Sequence, residues 1–331
     1  MHISRCGRLL RPFDARVQVL LVLVGLVFTP PAFATTYAFA TLDAPGATSG
    51  TAASAINSAG EIVGYFSEGV PTNTHGFKTD GTTYTTLDAP AATTVTQAFG
   101  VNDTSQIVGS FYDGATHGFV LNGTTYTTLD DPAVTDPLIG TVALSINATG
   151  QIVGQFFASG FHGFVLNGTT YTTLDGPSAH FTSANGINGS GKIVGGFADS
   201  SAHHGFLLNG TAYTALDVPG ATSTDATGIN DTGAIVGSFS TDNDSTFHGF
   251  VLNGTTYTTL DVPGATSTEA EGINNAGDIV GKFTDGSGQH GFFATPVPEP
   301  STALLFSAGI IGLAFRRRHA RGAPRGERAS A

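Results

Sequence analysis

Between residues 35 and 295, short apolar runs alternate with clusters of Gly, Asn, Asp, Thr and Pro, and no window carries apolar positions at a helical spacing. Over 226–261 the runs read "ATGIN", "AIVGSF", "HGFVL" and "TTYTTLD", rich in β-branched and aromatic residues that fit a pleated surface. Asn230-Asp231-Thr232-Gly233 divides the first two runs and Asn253-Gly254 the last two, both hairpin signals. Each such unit is therefore predicted to form four short antiparallel strands.

The unit recurs. Ile/Val-rich runs ending in Ile-Val-Gly finish at Gly64, Gly109, Gly154, Gly195, Gly237 and Gly281, at spacings of 41 to 45 residues. An asparagine seven residues earlier keeps step, at Asn57, Asn102, Asn147, Asn188, Asn230 and Asn274. His-Gly-Phe follows at His75, His117, His162, His204, His248 and His290. Four strands in roughly 42–45 residues correspond to one propeller blade.

The ends of the array favour a closed wheel. The sixth unit stops at "HGFFATP" without its own last run, whereas "TTYAFATLD" at 35–43 is an unattached copy of it. Pairing the two gives every sheet four strands and leaves no partial blade. The expectation is an all-β, six-bladed β-propeller over residues 35–295, closed by the N-terminal strand. An open β-solenoid of the same repeats is the alternative, but it would need distinctive caps at both ends.

Charge narrows the partners. Between Thr35 and Thr295 there are 22 acids against Lys78, Lys192 and Lys282, a balance of 22 − 3 = 19 negative charges. Such a body repels phosphate backbones, which argues against nucleic acid and leaves cations or neutral glycans.

Both ends read as addresses. Residues 1–34 carry four arginines, an apolar run from Val17 to Phe28 and a small-residue site at Ala32-Phe33-Ala34, the pattern of a signal peptide cleaved between Ala34 and Thr35 after passage through the Sec translocon. The single cysteine, Cys6, falls in that segment, so disulfides, cysteine-ligated zinc and a cysteine nucleophile are excluded from the mature chain. At the other end Pro298-Glu299-Pro300 precedes an apolar stretch, Ala303–Phe315, halted by Arg316-Arg317-Arg318. Thirteen residues are short for a bilayer crossing of about 20, which suits a transient hold in the inner membrane. A basic tail, 319–331, follows and is expected to be disordered.

These C-terminal residues resemble the PEP-CTERM sorting signal of exported bacterial proteins. The resemblance implies processing by an exosortase, a surface or extracellular destination and an association with extracellular polysaccharide and biofilm. The repeats in turn resemble the extracellular HAF repeat family, on Ile229-Asn230, Ile235-Val236-Gly237 and His248-Gly249-Phe250 and their counterparts. Glycine stands where that family more often has alanine. The HAF resemblance implies a secreted location and brings no activity with it.

Candidate chemistry is sparse. Six repeated histidines could gather on the axis as a metal site, since imidazole suits zinc, copper and nickel, but six equivalent positions around a wheel lie too far apart for bonds of about 2.0–2.1 Å. They are expected instead to bond a neighbouring backbone or blade. The repeated Asp43, Asp88, Asp130, Asp175, Asp217 and Asp261 are expected to cap backbone N–H groups of the following turn. Calcium is a rival cofactor at Asp242 and Asp244 of "TDNDSTF", although no closely spaced acidic series supports it. Strings such as Asn122-Gly123-Thr124 are explained by Asn-Gly hairpin turns without a glycan.

Binding is expected where the units differ, in the loops after Ile-Val-Gly, for example at Phe111, Tyr112 and Asp113, where a sugar could stack on a ring. With no nucleophile elbow, metalloprotease helix or phosphate loop, the expected function is that of a non-catalytic exported surface or matrix protein associated with extracellular polysaccharide. The alternative is a propeller-type carbohydrate-active hydrolase or lyase. An axial pocket holding an unrepeated pair of acids would favour that alternative, and a symmetric or apolar channel would sink it.

Overall fold

The period-two runs of each repeat pair as successive antiparallel hairpins, and the result is β structure throughout. A computed structural model describes residues 36–69 and 73–297, and it places twenty-four strands there and no helix. The third repeat is representative, with strands Thr141–Ile146, Ile152–Phe157, Phe161–Asn167 and Thr170–Leu174 paired in that order. Four further four-stranded units of the same pattern span 51–87, 95–129, 181–216 and 223–260, some joined to the next by a single parallel pair such as Phe161↔Phe181. The sixth contains Ser267–Ile273, Ile279–Asp285 and Gly288–Val297, and its outer strand is Thr36–Leu42 from the other end of the sequence, paired from Thr36↔Val297 to Leu42↔Gly291. The sheets are hereafter blades 1 to 6 in chain order.

A ring of hydrogen bonds proves closure. Asn57 Nδ2 donates to the carbonyl of Asn102, and the same bond steps through Asn147, Asn188, Asn230 and Asn274, whose Nδ2 returns to the carbonyl of Asn57 at 3.3 Å. Each of these buried asparagines also caps its own turn. Asn147 Oδ1, for instance, accepts from the N–H groups of Thr149 and Gln151. The open solenoid is thereby excluded, because its first and last repeats would not meet.

The repeated motifs are halves of one packing device. The glycine of Ile-Val-Gly pairs directly with the phenylalanine of His-Gly-Phe, as in Gly154↔Phe164. A Cβ on Gly154 would lie 2.0 Å from the Val142 carbonyl oxygen and 2.9 Å from the Phe164 ring. Only a bare backbone lets the ring lie flat across the sheet. Phe77, Phe119, Phe164, Phe206, Phe250 and Phe292 are fully buried in this way, each at the heart of a blade core. Burial of each side chain contributes about 1.5–3 kcal/mol.

One turn differs from expectation. Asn122 pairs with Thr125, so the two-residue loop is Gly123-Thr124 rather than Asn-Gly. Gly123 has φ +62°, the left-handed value required at the first loop position of a type II′ turn. Asparagine therefore ends the strand, and glycine turns it.

Candidate functional site

The repeated histidines do not reach the axis. Each His Nδ1 lies 2.7–3.1 Å from an aspartate of its own blade, in the pairs His75–Asp88, His117–Asp130, His162–Asp175, His204–Asp217, His248–Asp261 and His290–Asp43. Each imidazole also packs against a phenylalanine of the second strand, with Phe111 and His117 stacked at 5.2 Å. The expected partner, a neighbouring backbone or blade, is corrected accordingly. So is the expected role of the aspartates. The N–H following each one is capped instead by a first-strand threonine, such as Thr51 Oγ1 for Ala44 at 3.1 Å and Thr141 Oγ1 for Asp131 at 2.9 Å. The carboxylate is thus left free to hold the histidine.

The variable loops also hold less chemistry than expected. Phe111 is buried in its blade and offers no platform to a sugar, and Asp113 accepts from Ala115 N within its own loop. Asp242 spends its oxygens on Ser240 Oγ, Thr246 N and Thr246 Oγ1. Asp244 is taken by Ser223 Oγ. Among the described residues no three His, Asp or Glu side chains are grouped to hold a metal ion.

The unrepeated residues converge on the axis instead. Every first strand carries a β-bulge against its second strand, between Ala53/Ala55, Ala98/Gly100, Ala143/Ser145, Ala184/Gly186, Ala226/Gly228 and Ala270/Gly272. The residue skipped by the ladder is Ser54, Phe99, Leu144, Asn185, Thr227 or Glu271, and all six line one cavity of about 220 Å³ in the channel. A bulge re-aims a side chain, here toward the axis. In sequence these residues are the x of Ala-x-small-Ile/Val-Asn, an unrepeated letter inside a repeated frame. That contrast is the signal by which the site could have been found.

The cavity has two unlike halves. Ala52, Tyr65, Phe99 and Leu144, from blades 1 to 3, form a largely apolar side, with Tyr65 and Phe99 edge to face at 5.9 Å. Asn185, Asp225, Thr227, Glu271 and Lys282, from blades 4 to 6, form the polar side. Lys282 Nζ sits 3.0 Å from Glu269 and 2.9 Å from Glu271, and the two carboxylates raise its pKa although burial opposes them. Burial raises Glu271, with Lys282 working against it. Asp225 is pushed up to about 7, first by burial and then by the charge of Glu271, while a hydrogen bond from Asn185 resists. Protein surrounds Asp225, yet 37% of its side-chain surface still opens to channel water.

Further along the channel the bulge residues and their small neighbours narrow the space to about 100 Å³, and the asparagine ring bounds the last part of about 80 Å³. The wider cavity is therefore the part of the channel able to admit a ligand group.

Residues 296–318 match a family model described as the PEP-CTERM protein-sorting motif. The match includes Pro298, Glu299, Pro300 and Arg316–Arg318, and it marks the chain as an exported protein sorted by an exosortase to the cell surface. From Pro298 onward that segment, with the apolar stretch within it, lies outside the described residues, as does the Ala34–Thr35 site. Among the described residues no helix is long and apolar enough to cross a membrane.

No curated protein matches the chain. Of solved structures, TolB from Acinetobacter baumannii is similar with a TM-score of 0.51 at 10% identity, over 72% of this chain and 64% of that one. A streptogramin B lyase gives 0.46 at 14%, over 78% and 97%, and a Trypanosoma rangeli sialidase 0.46 at 11%, over 84% and 60%. The likeness to TolB is one of fold, and the fold is a β-propeller.

Proposed function

We propose that this exported wheel recognises a saccharide unit of extracellular polysaccharide in its axial cavity. The observation that carries the reading is the division of the cavity, with Tyr65 and Phe99 on one side and Asn185, Asp225 and Glu271 on the other. A sugar ring has the same division, an apolar C–H face that packs on aromatic rings and hydroxyls that bond to amides and carboxylates. Net negative charge in the polar half favours neutral sugars over uronates. The sorting motif supports a surface destination where such polymers lie. Association with biofilm and passage through the Sec translocon and inner membrane belong to the same reading.

The test is retention of neutral polysaccharide extracted from the producing cells. Phe99→Ala and Glu271→Gln are expected to weaken retention at least about tenfold, equivalent to about 1.4 kcal/mol. Thr172→Ala, on an exposed outer strand, is expected to leave it unchanged. Equal retention by all three variants would place the binding site elsewhere.

A further inference from the structure

We propose that Asp225 is the general acid of a glycosidic-bond hydrolysis in the axial cavity, with Asn185 and His203 positioning its carboxyl and Glu271 serving as base. The proposal rests on the reading of the cavity as a saccharide site.

Three features assemble around Asp225 that no other blade repeats. The equivalent channel positions are Ala52, Gln97, Val142, Ser183 and Glu269, so the aspartate is unique to blade 5. Asn185 crosses from blade 4 and donates through Nδ2 to Asp225 Oδ1 at 2.9 Å and to the Ala226 carbonyl at 3.1 Å. His203, a histidine outside the repeat pattern, brings Nε2 to 3.9 Å from Asp225 Oδ2 and packs on Phe181.

The contact depends on a missing side chain. The residue after Ile-Val-Gly is Tyr65, Ser110, Gln155, Ser238 or Lys282 in five blades and Gly196 in blade 4. A Cβ at Gly196 would lie 2.6 Å from Asp225 Oδ1 and 2.6 Å from His203 Nε2. The bare position is what lets aspartate and imidazole share one corner of the channel.

The two carboxyl groups are differently placed. Glu271 accepts from Lys282 Nζ at 2.9 Å, whereas Asp225 has an amide and an imidazole beside it and no direct cation. Burial keeps His203 below its ordinary range, hence neutral, and holds a proton on Asp225 near neutral pH. The charged groups facing this corner are Glu269, Glu271 and Lys282 from blade 6, with Asp244 and His204 acting on His203. Divergent environments for two acids in one pocket are the pattern of an acid and base pair.

In the reaction Asp225 gives its proton to the bridging oxygen as the C1–O bond breaks, the bonding electrons passing to that oxygen. A water oxygen bonds to C1, and the proton it loses goes to Glu271. One water is consumed, one new reducing end appears, and exchange with channel water returns both carboxyl groups to their starting states. Elimination is the poorer fit, because it needs a uronate whose carboxylate would face Glu269 and Glu271.

The experiment incubates the purified protein with the extracted neutral polysaccharide and measures retention and new reducing ends separately. Cleavage by the parent protein is expected, falling at high pH as Asp225 loses its proton. Asp225→Asn is expected to lose at least about 100-fold in rate, a loss well beyond any fall in its retention. Gly196→Ser, which drives the two side chains apart, is expected to lower kcat with KM held and to shift the pH profile. Retention by the parent without new reducing ends overturns the hydrolysis, as does cleavage by Asp225→Asn at the parental rate. A loss of rate in Asp225→Asn no greater than its loss of retention makes Asp225 a binding group only and ends its role as acid. Absence of retention by the parent overturns the saccharide reading itself.

Discussion

His290 Nδ1 meets the Asp43 carboxylate at 3.0 Å across 247 residues, repeating a bond that the other five blades make across 13. The equivalence shows that the N-terminal strand occupies blade 6 in the same register that the native fourth strand occupies elsewhere. The pair itself is a weak clasp, since the Asp43 side chain is 51% exposed and such contacts contribute about 0.2–1 kcal/mol.

Closure should therefore depend on the apolar seam beneath that pair. Asp43→Ala is expected to cost less than about 1 kcal/mol. Phe292→Ala, which empties a fully buried site against Phe39, is expected to cost about 3–5 kcal/mol. Urea unfolding of the two variants measures the contrast, and equal losses would contradict it.

The asparagine ring makes a sharper claim. Asn147→Ala removes the donor to the Asn188 carbonyl and the acceptor for Thr149 and Gln151 N–H groups, all beside the channel floor. A loss of about 2–3 kcal/mol is expected, because buried partners are left unpaired. Asn102 donates to the backbone carbonyl of Asn147, within the turn that the Asn147 side chain holds in place, so Asn102→Ala with Asn147→Ala should deviate from additivity in a double-mutant cycle.

Two glycines of one blade should respond very differently to a single methyl. Gly154→Ala drives Cβ into the Val142 carbonyl and the Phe164 ring, and a loss above about 4 kcal/mol or failure to fold is expected. At Gly168, with φ +61° and open space around it, alanine meets only the backbone penalty of about 1 kcal/mol. Soluble yield and thermal melting distinguish the two.

Asp225 carries a pH signature. Its folded pKa is raised from 3.8 to about 7, so the native state binds a proton that the unfolded chain releases. Stability from this group is complete below about pH 4 and is lost as pH rises toward 7. Asp225→Asn, which still offers Asn185 an acceptor, is expected to stabilise the protein at pH 8 and to be neutral near pH 4. Channel water reaches the carboxyl and screens it, so the gain is put at about 1–2 kcal/mol. A variant less stable than its parent at pH 8 would contradict the raised pKa.

Local patterning carried the architecture into view before any coordinates. Period-two runs, turn residues and the spacing of Ile-Val-Gly and His-Gly-Phe determined four strands per unit, and the loose copy at 35–43 determined how the wheel closes. These are short-range preferences, written where they act. What tertiary structure alone decided was which letters meet. It joined His290 to Asp43, laid Phe164 on Gly154, turned six asparagines into a ring and used one bulge per blade to aim Glu271, Asn185 and Phe99 at a common cavity. Repetition conceals such a site, because the repeated residues draw attention while the chemistry sits at the channel positions where symmetry is broken. Only the packing of blade 4 against blade 5 brings Asp225, Asn185 and His203 to the same corner, where they acquire an environment that none has in the linear chain.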